Sequence, residues 1–315
     1  MHTDARRNRA ALTEMKDWLA YAAARMVLKT VGALPRRAAT ALATGVVALL
    51  FRARPKLRKT ADRNLRLAFP EWTEAQGKET MRKMVRNLGR MAAEFARMPR
   101  LTKDNVQDIV ILDGHENFLA GHERGKGVLY LTGHIGAWEL SSYAHALYGY
   151  PLHYVARPLD NKKLDALVNQ YRCGSGNQPI FKNESARSML KILKDAGTIG
   201  ILADQNTLPA EGAFVDFFGK LACTTTGIAR VALHTDAAVV PGFAYWDESI
   251  QKYRLRFEQP VELIRTGDTE KDVYENTQKF AKVLEEIIRK YPDQWVWVHA
   301  RWKTRPPGEP ALYDF

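Results

Sequence analysis

The rhythm of apolar positions changes about a third of the way along the chain. Over the first hundred residues it is helical. In DWLAYAAARMVLKTVGALP, residues 17–35, the positions Trp18, Leu19, Ala22, Met26 and Val27 recur at helical spacing, while Arg25 and Lys29 share another face. Pro35 ends that helix. A second follows in ATALATGVVALLF, residues 39–51, which carries no charge but is flanked by Arg36, Arg37, Arg52 and Arg54. A third runs through TADRNLRLAFPEW to Pro70. The fourth, TEAQGKETMRKMVRNLGRMAAEFARM, puts Met81, Met84, Val85, Leu88 and Met91 on one side and stops before Pro99.

From about residue 107 short β-rich runs alternate with helical ones. VQDIVILDG, GVLYLTG, PLHYVAR, TIGILAD, AAVVPGFAYW and KYRLRFEQP read as strands. WELSSYAHALY, NKKLDALVNQY, ARSMLKILKDAG, TTTGIARVALHTD and YENTQKFAKVLEEIIRKY read as helices. This alternation predicts an α/β fold: a largely parallel mixed sheet flanked by helices. Three regions follow: a basic helical segment over 1–105, an α/β domain over 106–305, and an irregular tail over 306–315 containing Pro306, Pro307 and Pro310.

Charge sharpens the reading of the first region. The 315 residues carry a formal net charge of +12. Residues 1–100 hold 22 Lys+Arg against 8 Asp+Glu, so all the excess lies there. Such a segment suits an anionic surface, phospholipid or nucleic acid, as well as a merely solvated face. The apolar pattern favours lipid. A 13-residue helix spans about 20 Å, too short for a hydrocarbon core of about 30 Å. Two helices with apolar bodies and basic flanks suit the membrane interface, with a spanning form left open. No nucleic-acid module and no aromatic-interleaved basic strand is present. Two cysteines without metal-type spacing, and an N-terminus MHTDARRNRA without an apolar signal core, predict a reduced, cytosol-facing protein with no structural disulfide.

Candidate chemistry gathers just after the strands, where open α/β sheets bind ligands. Gly133 and His134 follow GVLYLT; Arg157 and Asn161 follow PLHYVA; Asp204, Gln205 and Asn206 follow TIGILA. A further cluster lies in GAFVDFFGKLACTTTG, read as a loop. Glu139 comes five residues after His134. Two positions five apart on one helix diverge by about 140°. The pair therefore meets only if His134 is in the loop and Glu139 in the first helical turn. A carboxylate there fixes the imidazole tautomer and raises its basicity, which makes a general base for an alcohol. No GxSxG elbow is present, so direct attack by a substrate hydroxyl is expected, without a covalent intermediate. No HExxH or other metal spacing occurs, and no metal or cofactor is expected.

The residues around this pair resemble the late acyltransferases of lipid A biosynthesis, the lauroyl/myristoyl group of the lysophospholipid acyltransferase superfamily. The resemblance rests on HIGAWE, ARPLDN, ILADQN, FVDFFGKLACTTTG and QWVWVHARWKTRP in that order, with KTADRNLRLAFPE upstream. It covers roughly residues 18–307. It implies a glycerol-3-phosphate acyltransferase-like fold at the cytoplasmic face of the inner membrane. It also implies transfer of a fatty acyl chain from acyl carrier protein to a hydroxyl of a lipid A precursor. Carried over, His134 is the general base and Glu139 orients it. Arg157, with Asn161, binds a phosphate or the developing oxyanion, a role shared with backbone N–H groups near Gly136. Asp204 and Gln205 order the site or bind acceptor, and Phe218, Gly219 and Thr224 line acyl or head-group access. The same chemistry on a lysophospholipid, glycolipid or ornithine-type lipid, and a non-catalytic membrane scaffold, are the rival readings.

Overall fold

The computed structural model describes residues 2–181 and 185–314, so Met1 and Phe315 of the expected first and last regions fall outside it. Four helices open the chain: α1 (His2–Ala33), α2 (Arg36–Ala53), α3 (Pro55–Ala68) and α4 (Glu74–Arg97). Pro55 occupies the first turn of α3, where a missing N–H costs nothing. Thr73 and Gln76 form a reciprocal capping box that starts α4.

The second part alternates β1 (Val110–Asp113), α5 (His115–His122), β2 (Val128–Thr132), α6 (Trp138–Leu147), β3 (His153–Ala156), α7 (Lys162–Cys173), β4 (Gln178–Phe181), α8 (Ser185–Lys194) and β5 (Thr198–Leu202). After the hairpin β6 (Gly212–Phe217) and β7 (Lys220–Thr225) come α9 (Gly227–Thr235), β8 (Ala238–Asp247), β9 (Lys252–Phe257) and α10 (Thr269–Lys290). Seven strands form one sheet in the order β1-β9-β8-β2-β5-β3-β4. All neighbours are parallel except β8 and β9. The expected largely parallel mixed sheet is what forms.

Every residue of β2 is buried, as a central parallel strand covered on both faces requires. Its side chains alternate between two cores. Leu129 and Leu131 join one with α3, α10 and the Trp-rich C-terminal segment; Val128 and Tyr130 join the other with α5 and α6. Leu65 and Phe69, from α3 and its end, and Met84 and Val85 of α4 belong to the first of these cores, so these helices are built into the sheet's own packing. Residues Val31, Ala39 and Ala43 of α1 and α2 instead form a small separate core on Ala93 and Ala96 of α4. The irregular tail is pinned: Tyr313 donates to Asn64 Oδ1 at 2.5 Å, and Leu312 C=O accepts from Arg63.

Residues 212–225 differ from expectation. They form an antiparallel hairpin outside the main sheet, not a loop. Its two-residue turn, Phe218-Gly219, has φ of +59° and +71°, the pairing of positive values that matches the twist of hairpin strands. Two short elements, α5 and β4, are also additional to the sequence pattern.

Candidate active site

The strand order explains which residues meet. Strands β2 and β5 are parallel neighbours, with Thr132 opposite Leu202. His134 and Asp204 each lie two residues beyond that pair, at the same end of the sheet. His134 Nδ1 and Asp204 Oδ1 are 2.8 Å apart. The other carboxylate oxygen accepts the His134 backbone N–H at 2.8 Å and Trp295 Nε1–H at 2.6 Å. Asp204 is 1% exposed and His134 21%. Gly133 allows this approach, since a Cβ there would lie about 3.1 Å from the Asp204 carboxyl carbon.

Burial alone would raise the Asp204 carboxyl, but the His134 charge and these hydrogen bonds outweigh it and hold it down at about 2. Burial likewise works to lower the His134 imidazole. The Asp204 charge and hydrogen bond, with a smaller contribution from Glu139, win and raise it above its ordinary value. With Nδ1 on the carboxylate, Nε2 is the nitrogen available for chemistry. Gln205 Nε2 lies 3.3 Å from it, and the Trp138 ring stands edge-on to the imidazole.

The carboxylate on the imidazole is therefore Asp204 and not Glu139. Glu139 does sit in the first turn of α6, as expected, but both its oxygens are taken by Arg172 from the last turn of α7. It acts on His134 only through space. The backbone N–H groups near Gly136 are also engaged. Ile135 donates to Gly133, Gly136 to Gln294 and Ala137 to Ala244. Gly136 has φ +59° and lies so close to the Ala244 carbonyl that no side chain fits there. This turn anchors the His134 loop, so it offers no free donors at these positions for an oxyanion.

A cavity of about 370 Å³ opens beside His134 on the α6–α7 side of the sheet. Glu139, Arg157, Arg172 and Gln205 supply its polar wall, and Leu152, Val155, Leu159 and Leu202 much of its apolar one. Arg157 is 84% exposed at the rim, with Asp160, 4.0 Å away, as its one ionic neighbour among the described residues. The remaining expected residues lie elsewhere. Asn161 caps α7 by accepting from Lys163 and Leu164, and donates to the Asp17 carbonyl of α1. Phe218 is core, its N–H on Glu285 and its ring under Arg289. Gly219 completes the hairpin turn, and Thr224 is a buried acceptor for Arg301. Arg172, Trp138 and Trp295 are the site residues that sequence spacing did not single out. Among the described residues no group of three or more His, Cys, Asp or Glu side chains is arranged to hold a metal.

The profile of the family described as bacterial lipid A biosynthesis acyltransferase matches residues 6–304. The chain belongs to that family. It is similar to the lipid A biosynthesis lauroyltransferase of Escherichia coli, with 27% identity over 96% of this chain and 97% of the relative. The palmitoleoyltransferase of the same organism is 25% identical over 83% and 84%. A lipid A biosynthesis acyltransferase of Haemophilus influenzae is 24% identical over 82% and 79%. This lipid A acyltransferase family member is an O-acyltransferase, and the ordered motifs of the sequence had pointed to that group.

Proposed function

We propose that the protein moves a fatty acyl chain from an acyl carrier protein thioester to a hydroxyl of a lipid A precursor, at the cytoplasmic face of the inner membrane. The observation that carries the chemistry is the His134–Asp204 pair at the mouth of a half-apolar cavity. Asp204 holds Nδ1–H, which fixes the tautomer and leaves Nε2 as the base. Nε2 takes the proton of the acceptor hydroxyl as its oxygen attacks the thioester carbonyl. The tetrahedral intermediate collapses with loss of the carrier thiolate, and His134 returns the proton to that sulfur. Glu139, locked to Arg172, shapes the cavity wall and adds negative potential near the imidazole. Of the two arginines that line the cavity, Arg157 is the less engaged, since Arg172 is held by Glu139, and it stands where it can reach an oxyanion or a phosphate.

Membrane attachment rests on α1 and α2. Met15, Trp18, Leu19, Met26 and Val27 on α1, and Leu42, Val46, Leu49 and Leu50 on α2, are exposed. No helix among the described residues is long and apolar enough to cross a membrane. These helices suit lying in the interface with their basic residues on head groups. The exposed face adjoins the cavity: Lys163 stands over Trp18, Asn161 holds the Asp17 carbonyl, and Leu159 and Leu202 are exposed at the cavity rim. An acyl chain or lipid acceptor then enters without crossing water.

The test is acyl transfer in detergent, read by mass spectrometry, with carrier-protein thioesters of several lengths and a tetra-acylated lipid A precursor. Wild type adds one acyl mass. His134→Ala folds and loses roughly 10²–10⁴ in rate. Full activity of His134→Ala would sink the assignment of the base; no product from wild type would move the acceptor to another lipid.

A further inference from the structure

A second cluster of unusual chemistry lies outside the His134 cavity. A groove of about 630 Å³ runs between α2, α4 and the end of β8, lined by Arg36, Arg37, Arg86, Arg90, Glu94 and Trp246 among others. Arg86, Arg90 and Glu94 are four apart and form one row along α4. The groove exists because α2 and α4 cross closely at Gly89, where a Cβ would fall 2.4 Å from the Thr44 Cα. Arg36 Nε reaches Glu94 at 2.5 Å, and Arg90 reaches Asn87 at 2.7 Å and Glu248 at 3.3 Å. The Arg36 and Arg90 guanidiniums both lie over the Trp246 indole, at 5.5 and 4.2 Å.

The cluster is incomplete as it stands. Four guanidiniums face two carboxylates, Glu94 and Glu248. Among the described residues Arg36 Nη2 and Arg86 Nε are buried with no acceptor, and neither Arg37 nor Arg86 has a carboxylate within 4.0 Å, though the Arg86 charge is felt at Glu248. Burial chiefly holds the Arg90 guanidinium below its ordinary value, against the raising influence of Tyr253 and Glu248, with Arg86 and Arg36 adding smaller repulsion. Orphaned buried donors among unneutralised cations are costly unless an anion satisfies them. Planar guanidiniums match tetrahedral oxyanions two bonds at a time.

We infer that this groove binds a phosphate group, held chiefly by Arg36, Arg37, Arg86 and Arg90 against Trp246. The groove is coupled to the His134 loop by one residue. Gln294 holds both the N–H and the carbonyl of Trp246 through its side chain, and its own carbonyl accepts the Gly136 N–H. On α2, the groove residues Arg37, Thr40 and Thr44 point roughly opposite to Leu42, Val46 and Leu49. A bilayer against those apolar residues leaves the groove open. The phosphate can thus be that of the acceptor, of a neighbouring phospholipid, or free.

The test uses the full chain in a nonionic detergent with Arg86→Gln and Arg37→Gln, neither of which removes a hydrogen bond from the fold. Calorimetric titration with inorganic phosphate is expected to show saturable binding, about tenfold weaker in each variant, with unchanged melting. Two further arms identify the source. If it is the acceptor, KM rises about tenfold in the variants for a bis-phosphorylated lipid A precursor, with kcat kept, and is unmoved for the dephosphorylated one. If it is a phospholipid, flotation on phosphatidylglycerol vesicles drops relative to phosphatidylcholine. Equal behaviour of wild type and both variants with all three probes overturns the site. The reading of the reaction fails separately, by absence of transfer from wild type while phosphate binding and its loss in the variants persist.

Discussion

At the scale of single residues, the pairing of His134 with Asp204 sets a pH dependence with a definite sign. The imidazole is held above its ordinary value of 6.5 and works as a base only when neutral. The rate of acyl transfer should rise with pH through a midpoint above 6.5. In Asp204→Asn the raising charge is gone while burial persists, so the midpoint should fall, and the plateau should drop roughly 10²–10⁴ as the tautomer is lost. A pH–rate profile of both proteins checks this; an unmoved midpoint would remove Asp204 from the site. The same shifts bear on stability. The contribution from His134 is full below pH 6.5 and is lost as pH rises through the raised value. That from Asp204 is present above its ordinary 3.8 and is lost as pH falls through about 2. Sequence placed both residues at strand ends, and there it was informative. It attached Glu139 to His134 because the two are five apart in the chain. Asp204 is 70 residues away, and only the β2–β5 neighbour relation brings it in. Neighbour relations among strands leave no local mark in a sequence, and neither does the reach of Arg172 from α7 to α6.

At the scale of elements, the crossing of α2 over α4 gives a test whose sign runs against intrinsic propensity. Exchanging a glycine for alanine inside an exposed helix stabilises by about 1 kcal/mol. Gly89 lies mid-α4, and an added Cβ would meet Thr44 Oγ1 at 2.3 Å and its Cα at 2.4 Å. Backbone cannot yield as a side-chain tip can, so overpacking should win. Gly89→Ala should lose about 1–3 kcal/mol by denaturant unfolding and expose the α1–α2 segment to limited proteolysis. A stabilised variant would mean that α2 rides more loosely than this contact implies. The four helices were legible because their apolar residues recur at helical spacing, or in the second form an uncharged run between arginines, and because Pro35, Pro70 and Pro99 punctuate them. The β6–β7 hairpin was not. Its apolar FVDFF run lacks clean alternation, and its turn uses Phe218, a residue seldom found at positive φ. A turn of that kind is sustained by what surrounds it, here Glu285 on the Phe218 N–H and Arg289 on the ring.

At the scale of the whole molecule, the separate small core under α1 and α2 bears on how the proposed membrane attachment and catalysis divide. Val31, Ala39 and Ala43 bind these helices to α4, and Val47 and Phe51 of α2 reach the first main core, while Leu42, Val46, Leu49 and Leu50 point outward. The sheet and the strands that carry His134 and Asp204 rest mainly on two other cores, which Leu49 and Leu50 do not enter. Changing outward residues of α2 should therefore weaken membrane binding without disturbing the site. Leu49 and Leu50 are 67% and 54% exposed. Placing Glu at both removes apolar surface from the bilayer and adds repulsion from anionic lipid, where each basic residue near the surface contributes about 1 kcal/mol of attraction. Vesicle flotation is expected to show wild type bound to phosphatidylglycerol-containing vesicles, weakened but not released by salt, because screening touches only the ionic part. Leu49→Glu with Leu50→Glu should lose at least about tenfold in affinity. Its transfer rate in detergent should stay within about twofold of wild type, a difference small against the tenfold that 1.4 kcal/mol makes. If the double variant floats as wild type does, these helices pack against something other than lipid. If it floats normally yet loses transfer, α2 shapes the acceptor's path to the cavity and its exposed leucines belong to the site.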